Sequence, residues 1–454
     1  MTQKRPINAD MPASVPKRRP ESPPAATPGT AAEKASAKET DGPAAAGSGR
    51  RPIPGALKAI GALVAIAIVI LVVAVAGGGS ESQSGQRAGS AGSGESSVTG
   101  TTATNNTTRI SADDTATFAA NVALTVFPSE TPAQRPKSVA LVGDESWQNA
   151  VAAAALMAHP IRAPLLISSA SELPDPTVLA LQSLQPHGNL LKKSGNLSRK
   201  GVPYYVIGPI PTPSVPGFPG RTAKTGPLNG APQAAEIEAF RKTIFRAPPP
   251  HVIVAPENDP AFAVPAAAWA ARSGDDVLYT RKDELPPATI KALKRFPTPS
   301  VYVLGPPSAV SPAVLREIDK VDKGATRVRR VSGKTPAENA VALARYSDGS
   351  FGWNVNDPGH GFVIARSNNP LETALAAPLS ASGTWGPLLL TESADKLPKA
   401  VREYLLDVKP GYTTDPTRAF YNHVWIVGDE GEIDAHQQAE INQLAELTKV
   451  RGEG

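Results

Sequence analysis

Two carboxylate pairs, Asp144-Glu145 and Asp429-Glu430, each follow a glycine at the end of an apolar run. Ligands of open α/β sheets gather at strand ends, and paired carboxylates there have the parts needed for general acid–base work. The same position also suits the cap of a following helix, where an acid side chain accepts from free N–H groups. The six histidines (His159, His187, His251, His360, His423, His436) are scattered. None forms an H-x-x-x-H or comparable ligand pair, so no metal site is expected. No Walker loop, no GxGxxG after a strand and no GxSxG elbow occurs. The absence of cysteine excludes disulfides, thiolate metal ligands and cysteine nucleophiles. Trp147, Trp269, Trp353, Trp385 and Trp425 are able to stack on sugars, although core or interface packing is the default for such side chains. No catalytic residue and no cofactor is expected.

The elements that would position these residues recur three times. Val139–Val142, Val252–Ala255 and Phe362–Ala365 are short apolar runs of the kind that form buried parallel strands. Each leads into an Ala-rich helical stretch, from Ala150, Ala263 and Thr373. A second apolar run starts at Pro164, Val277 and Pro387, in every case 25 residues after the first. A Leu-Pro step follows (Leu173-Pro174, Leu285-Pro286, Leu397-Pro398), which suits a helix start because proline lacks an N–H that would go unpaired there. A third strand closes each unit at Tyr204–Gly208, Val301–Gly305 and Val424–Gly428. A helix precedes each first strand. The fold expected is α/β, with three tandem Rossmann-like parallel-sheet repeats over 108–230, 231–325 and 326–454. Their helices should meet around a pseudo-threefold centre or lie in a row.

The N-terminal part differs. Residues 1–55 are rich in Pro, Ala, Lys and Glu without hydrophobic periodicity, and read as a disordered tail. Ala59–Ala76, within a predicted membrane helix over 56–77, carries no charge. At about 1.5 Å per residue its 18 residues span roughly 27 Å, close to a hydrocarbon core of about 30 Å. Arg50, Arg51 and Lys58 precede it, which places the N-terminus in the cytoplasm. The long pre-segment argues for an uncleaved signal-anchor over a cleaved signal peptide. Residues 78–107, rich in Gly, Ser and Thr, read as a flexible linker. Residues 1–58 hold ten Lys/Arg against five acids, and the rest of the chain is balanced at 36 of each. The formal +5 therefore belongs to the tail and gives no reason to expect nucleic acid at the folded region.

The repeat pattern resembles the bacterial cell wall-binding repeat 2 family, which usually occurs as three tandem copies. That family opens its repeats with R-I-S/A-G-x-D-R-Y-x-T-A. Arg109-Ile110-Ser111-Ala112-Asp113-Asp114 and Arg330-Val331-Ser332-Gly333 are similar to that opening. The family's helix Asp stands at Asn149, about Phe262 and Glu372, and its closing Gly-Gly becomes Gly208-Pro209, Gly305-Pro306 and Gly428-Asp429. The resemblance covers roughly 108–450. It implies binding residues at Arg109, Asp114, Asn149, Arg330 and Glu372, and an anionic wall polymer as ligand. The expected protein is a non-catalytic, membrane-anchored component of the bacterial envelope with its bulk outside the cytoplasm. An envelope protein as partner, or a hydrolase or transferase of wall glycans, are the alternatives.

Overall fold

The computed structural model describes residues 101–188, 201–210, 222–224, 228–244, 250–297, 299–321 and 327–450. The expected tail, membrane helix and most of the linker lie outside the described residues. Among those described, no helix is long and apolar enough to cross a membrane.

The described chain starts with β1 (Thr101–Ala103), β2 (Thr107–Ile110) and α1 (Thr115–Val126). The first unit continues with β3 (Val139–Gly143), α2 (Trp147–Ala153) running into a 3-10 turn at Ala154–Met157, β4 (Leu165–Ser168), α3 (Asp175–Leu184) and β5 (Tyr204–Ile207). Then come β6 (Thr222–Lys224) and α4 (Gly230–Ile244), which lead into the second unit. That unit holds β7 (His251–Pro256), α5 (Pro260–Ala263), α6 (Pro265–Ser273), β8 (Asp276–Thr280), α7 (Pro287–Leu293), β9 (Ser300–Leu304) and α8 (Pro312–Lys320). After β10 (Arg327–Val331) and α9 (Pro336–Arg345) the third unit follows. It contains β11 (Gly361–Arg366), α10 (Pro370–Leu375), α11 (Ala377–Ser380), β12 (Leu388–Thr391), α12 (Lys399–Asp407) and β13 (Gly411–Tyr412). It ends with β14 (His423–Val427), α13 (Ala435–Ala445) and β15 (Thr448–Lys449).

Three sheets carry the fold, with orders β4-β3-β5-β6, β8-β7-β9-β10 and β12-β11-β14-β2-β1. All pairs in them are parallel except β1 with β2. The central strand β3 is buried along its whole length, as are β7 and β11 apart from one end residue each. That burial on both faces explains why these strands read as unbroken apolar runs. Pro174, Pro286 and Pro398 sit one step earlier than expected. They are the N-caps of α3, α7 and α12, with extended ψ, and not first-turn residues.

The fourth strand of each sheet makes the three units one body. β6 closes the first sheet and leads into α4, which packs on β8 and α7 of the second unit. β10 closes the second sheet and leads into α9, which packs on β12 and α12 of the third. β2, from the N-terminal end of the described chain, closes the third sheet and leads into α1, which packs on β4 and α3 of the first. Each unit is thus stitched to its neighbour, and the last is stitched to the first. The residues of β10, expected within 326–454, belong to the second sheet. Thr101–Ala103 and Thr107, expected in the linker, form part of the third sheet.

The axial helices meet at a pseudo-threefold centre: the 3-10 turn at Ala154–Met157, α6 and α11 all contact one another. The buried face of α6 is mostly alanine, and the 3-10 turn and α11 add Ala154, Ala155 and Ala377, small side chains that allow close approach of helix backbones. The expected alternative of three units in a row is thereby replaced by a closed arrangement.

Candidate functional site

The junctions between units are built by the residues that the family resemblance singled out. β2 and β10 run beside the last strand of the preceding sheet, in a register that sets Arg109 opposite Ile426 and Arg330 opposite Val303. Each arginine therefore lies level with the residue two before a strand-end glycine. Gly428 and Gly305 have φ of 101° and 97°, a left-handed turn that L side chains rarely adopt. That turn aims backbone carbonyls at the arginine. Arg109 Nη1 donates to the Gly428 and Asp429 carbonyls, both at 2.7 Å, and Nη2 donates to the Ile433 carbonyl at 2.6 Å. Its Nε and Nη2 also donate to Gln438 Oε1. Arg109 is only 4% exposed. Burial holds its pKa below the usual arginine value, against the charges of Glu430, Asp429 and Asp434, which raise it. Arg330 repeats the arrangement with fewer bonds, donating to the Gly305 carbonyl at 2.5 Å and the Val310 carbonyl at 2.7 Å. Both guanidiniums act as bolts between a unit and the strand that enters the next one. A buried cation satisfied this way avoids the cost of an unpaired charge.

Of the other three expected residues, Asn149 and Glu372 also bond across junctions, and Asp114 caps its own helix. Asp114 is the N-cap of α1, accepting from the Thr117 amide at 2.8 Å and its hydroxyl at 2.6 Å. Desolvation pushes against its ionised form, but these bonds hold its pKa below the usual value. Asn149, in α2, donates to Asn229 Oδ1 at 2.8 Å and accepts from the Gly230 amide at 3.2 Å, which ties α2 to the start of α4. Glu372, in α10, accepts from the Thr115 hydroxyl at 3.2 Å, the first residue of α1. Burial raises its pKa, the Thr115 bond lowers it and Glu432 raises it again. The third equivalent position is Phe262, whose carbonyl accepts from Asn339 of α9 at 3.3 Å. The five residues are not brought together. Arg109, Asp114 and Glu372 lie where the third unit meets the first, Asn149 where the first meets the second, and Arg330 where the second meets the third.

Between the first and second units a cleft of about 480 Å³ lies at the strand ends, lined by Glu145, Gln148, Asn229, Glu257, Asn258 and Arg281 among others. Several of these hold the wall of the cleft. Glu257 Oε1 accepts from the Ala231 amide at 2.9 Å, and Gln148 donates to the Glu257 carbonyl at 3.1 Å. Arg281 lies 3.6 Å from Glu257 and 2.8 Å from Glu284. Glu145 and Asn258 are exposed, and among the described residues their side chains form no hydrogen bond. The cleft thus offers amide, carboxylate and hydroxyl groups with one arginine already paired. Glu145 was marked by its place after Gly143. Asn258 carried no comparable signal, because its partner wall comes from a different unit.

The second carboxylate pair does other work. Asp429 Oδ1 accepts from the Gly431 and Glu432 amides at 2.8 and 3.0 Å, closing a turn. Among the described residues no three His, Asp or Glu side chains are disposed to hold a metal ion. Trp269, Trp353 and Trp385 join an aromatic cluster between the second and third units, with Trp269 and Trp353 centroids 5.3 Å apart and Trp353 and Trp385 stacked at 6.1 Å.

No family model matches the chain, and no curated protein matches it by sequence. Solved structures share its fold, two of them from one organism. Cwp6 from Clostridium difficile aligns with a TM-score of 0.56 at 16% identity, covering 75% of this chain and 48% of that one. Cwp8 from the same organism aligns at 0.54 and 18% identity, covering 75% of this chain and 52% of that one. The chain spans about half the length of each, and what it has in common with them is the fold.

Proposed function

We propose that this chain is a non-catalytic protein of the bacterial cell envelope, tethered to the membrane by Ala59–Ala76, whose three-unit ring contacts wall polymer. The observation that carries this reading is the fold held in common with two Clostridium difficile cell wall proteins over three quarters of the chain. The order and spacing of the repeat motifs, similar to those of the cell wall-binding repeat 2 family, support it. The open cleft between the first and second units is the place proposed for the polymer. Two carboxylates and one paired arginine favour a hydroxyl- and amide-rich stretch of polymer there over a polyanion.

The full chain in detergent should be retained by purified wall sacculi at low salt. Glu145→Gln combined with Asn258→Ala should weaken retention about tenfold, the loss expected for one to two hydrogen bonds. Absence of retention at low salt would overturn the reading. One observation favours a second reading, an envelope protein-interaction scaffold: the signature arginine Arg109 spends all five of its donors inside the ring, and Arg330 spends two of its own there. Capture of a membrane protein complex that is insensitive to salt, without sacculus retention, would support that alternative.

A further inference from the structure

The opposite edge of the ring, where strands begin, holds cations of a different kind. The loops that follow the axial helices converge there. Ala158, after the first, lies against Gly274, after the second, as shown by the 3.1 Å gap a Cβ on Gly274 would leave. Arg162 sits in the first of these loops, in a left-handed conformation with φ 57°. Its guanidinium lies over the Phe127 ring at 5.3 Å. Arg272, in the last turn of α6, lies over the Trp385 ring at 4.6 Å. Among the described residues, neither arginine forms an ion pair or donates a hydrogen bond. The axial helix ends are already capped by backbone amides: Gly274 to Ala270, Ala158 to Ala155 and Ala381 to Pro378. Compensation of helix carbonyls therefore does not use these guanidiniums. Stacking fixes their planes and leaves their N–H edges open. Burial and the charge of Arg272 lower the pKa of Arg162, and burial with the charges of Arg162, Lys137 and Arg272 lowers that of His159, so these groups are close neighbours.

The patch continues to exposed aromatic side chains. Trp385 meets His360 at 5.1 Å, and the adjacent Gly359 packs against Phe420. Phe420 is 70% exposed and Tyr421 53%, large values for aromatic residues. Of the carboxylates nearby, Asp275 and Asp415 are engaged, whereas Asp357 is exposed. Asp275 is held by Trp269 and His251, Asp357 lies 3.6 Å from His360, and Asp415 caps a 3-10 turn. Free arginines beside exposed aromatics are the composition of a surface that meets lipid headgroups.

We propose that this strand-start face docks on an anionic lipid surface, with Arg162 and Arg272 taking lipid phosphates and Phe420 and Tyr421 entering the headgroup layer. The inference rests on the membrane tether proposed above. Charge complementarity favours lipid of negative sign, each cation near such a surface contributing independently. Docking here also leaves the cleft at the strand ends open on the far side.

The chain has no cysteine, so single labels are clean. Full-length Tyr421→Cys and Glu284→Cys, each carrying a fluorophore, would be reconstituted in vesicles doped with a lipid-phase quencher. The vesicles would be phosphatidylcholine alone, or phosphatidylcholine with phosphatidylglycerol. Quenching is expected at position 421 in the anionic vesicles only, with none at 284. Arg162→Gln with Arg272→Gln should lower the docked-to-free ratio about thirtyfold. Equal quenching at both positions, none at 421, or no effect of the double substitution would overturn the proposal. Co-flotation with neutral vesicles tests the tether separately. Its loss defeats the anchored reading, while quenching at 421 in anionic vesicles still decides the docking.

Discussion

Arg109 and Arg162 are the same residue type on opposite edges of one ring, and they differ in where their donors go. Arg109 spends its N–H groups on three backbone carbonyls and Gln438, at 4% exposure. Arg162 stacks on Phe127 and donates to nothing among the described residues. Arg330 follows the first pattern and Arg272 the second. The carbonyls make the difference. A left-handed glycine turn presents them to the arginine at the strand-end junctions, whereas at the axial helix ends backbone amides take the last carbonyls and no guanidinium does. Arg109 and Arg330 are bolts because carbonyls converge on them, and Arg162 and Arg272 meet aromatic rings instead.

The largest effect should come from breaking the better bolt. Arg109→Met leaves the Gly428 and Ile433 carbonyls and Gln438 Oε1 without their donor and removes one of the donors to the Asp429 carbonyl, and should destabilise the ring by about 3–4 kcal/mol. Arg330→Met, with two bonds lost, should cost about half as much, roughly 2 kcal/mol. Urea denaturation with a common m-value would check both, and equal costs would break the comparison. Asn149→Ala loses its bonds to Asn229 and Gly230, and should cost about 1–2 kcal/mol by the same measurement.

A smaller effect concerns pH. Burial lowers the pKa of His423 from 6.5, so the folded ring resists protonation there and the unfolded chain does not. Between the two pKa values the unfolded state binds more protons. Stability should therefore fall as pH drops below about 6.5, and His423→Gln should flatten that slope. Thermal unfolding across pH 7.5 to about 5 would read the difference between the two proteins. The smallest effect is expected from Arg162→Gln and Arg272→Gln, which remove no hydrogen bond and should change stability by under about 1 kcal/mol each. A cost equal to that of Arg330→Met would mean these side chains are bolts as well.

Much of the fold was legible because its signals are local. The three apolar runs, the constant 25-residue step and the Ala-rich helices map onto β3, β7 and β11, their following helices, and β4, β8 and β12. The helices expected before each first strand are α1, α4 and α9. The closing strands were not legible as such. β10 reads Arg-Val-Arg-Arg-Val and is half-exposed along most of its length, so it lacks an apolar signature. The partner of β2 lies more than 300 residues away. The same distance hides the role of Arg109. Its motif marks the residue as special, yet the carbonyls it satisfies belong to the last unit. The cleft was half visible, through Glu145, because its other wall is contributed by the following unit.

The central claim is a division of labour, with wall polymer met at the strand-end cleft and lipid at the strand-start face. The most direct test is to measure one full-length preparation against both purified sacculi and anionic vesicles. Glu145→Gln with Asn258→Ala should weaken sacculus retention and leave vesicle docking unchanged, while Arg162→Gln with Arg272→Gln should do the reverse. Parallel loss of both activities in either variant, or no retention of the unsubstituted protein by sacculi, would contradict the account.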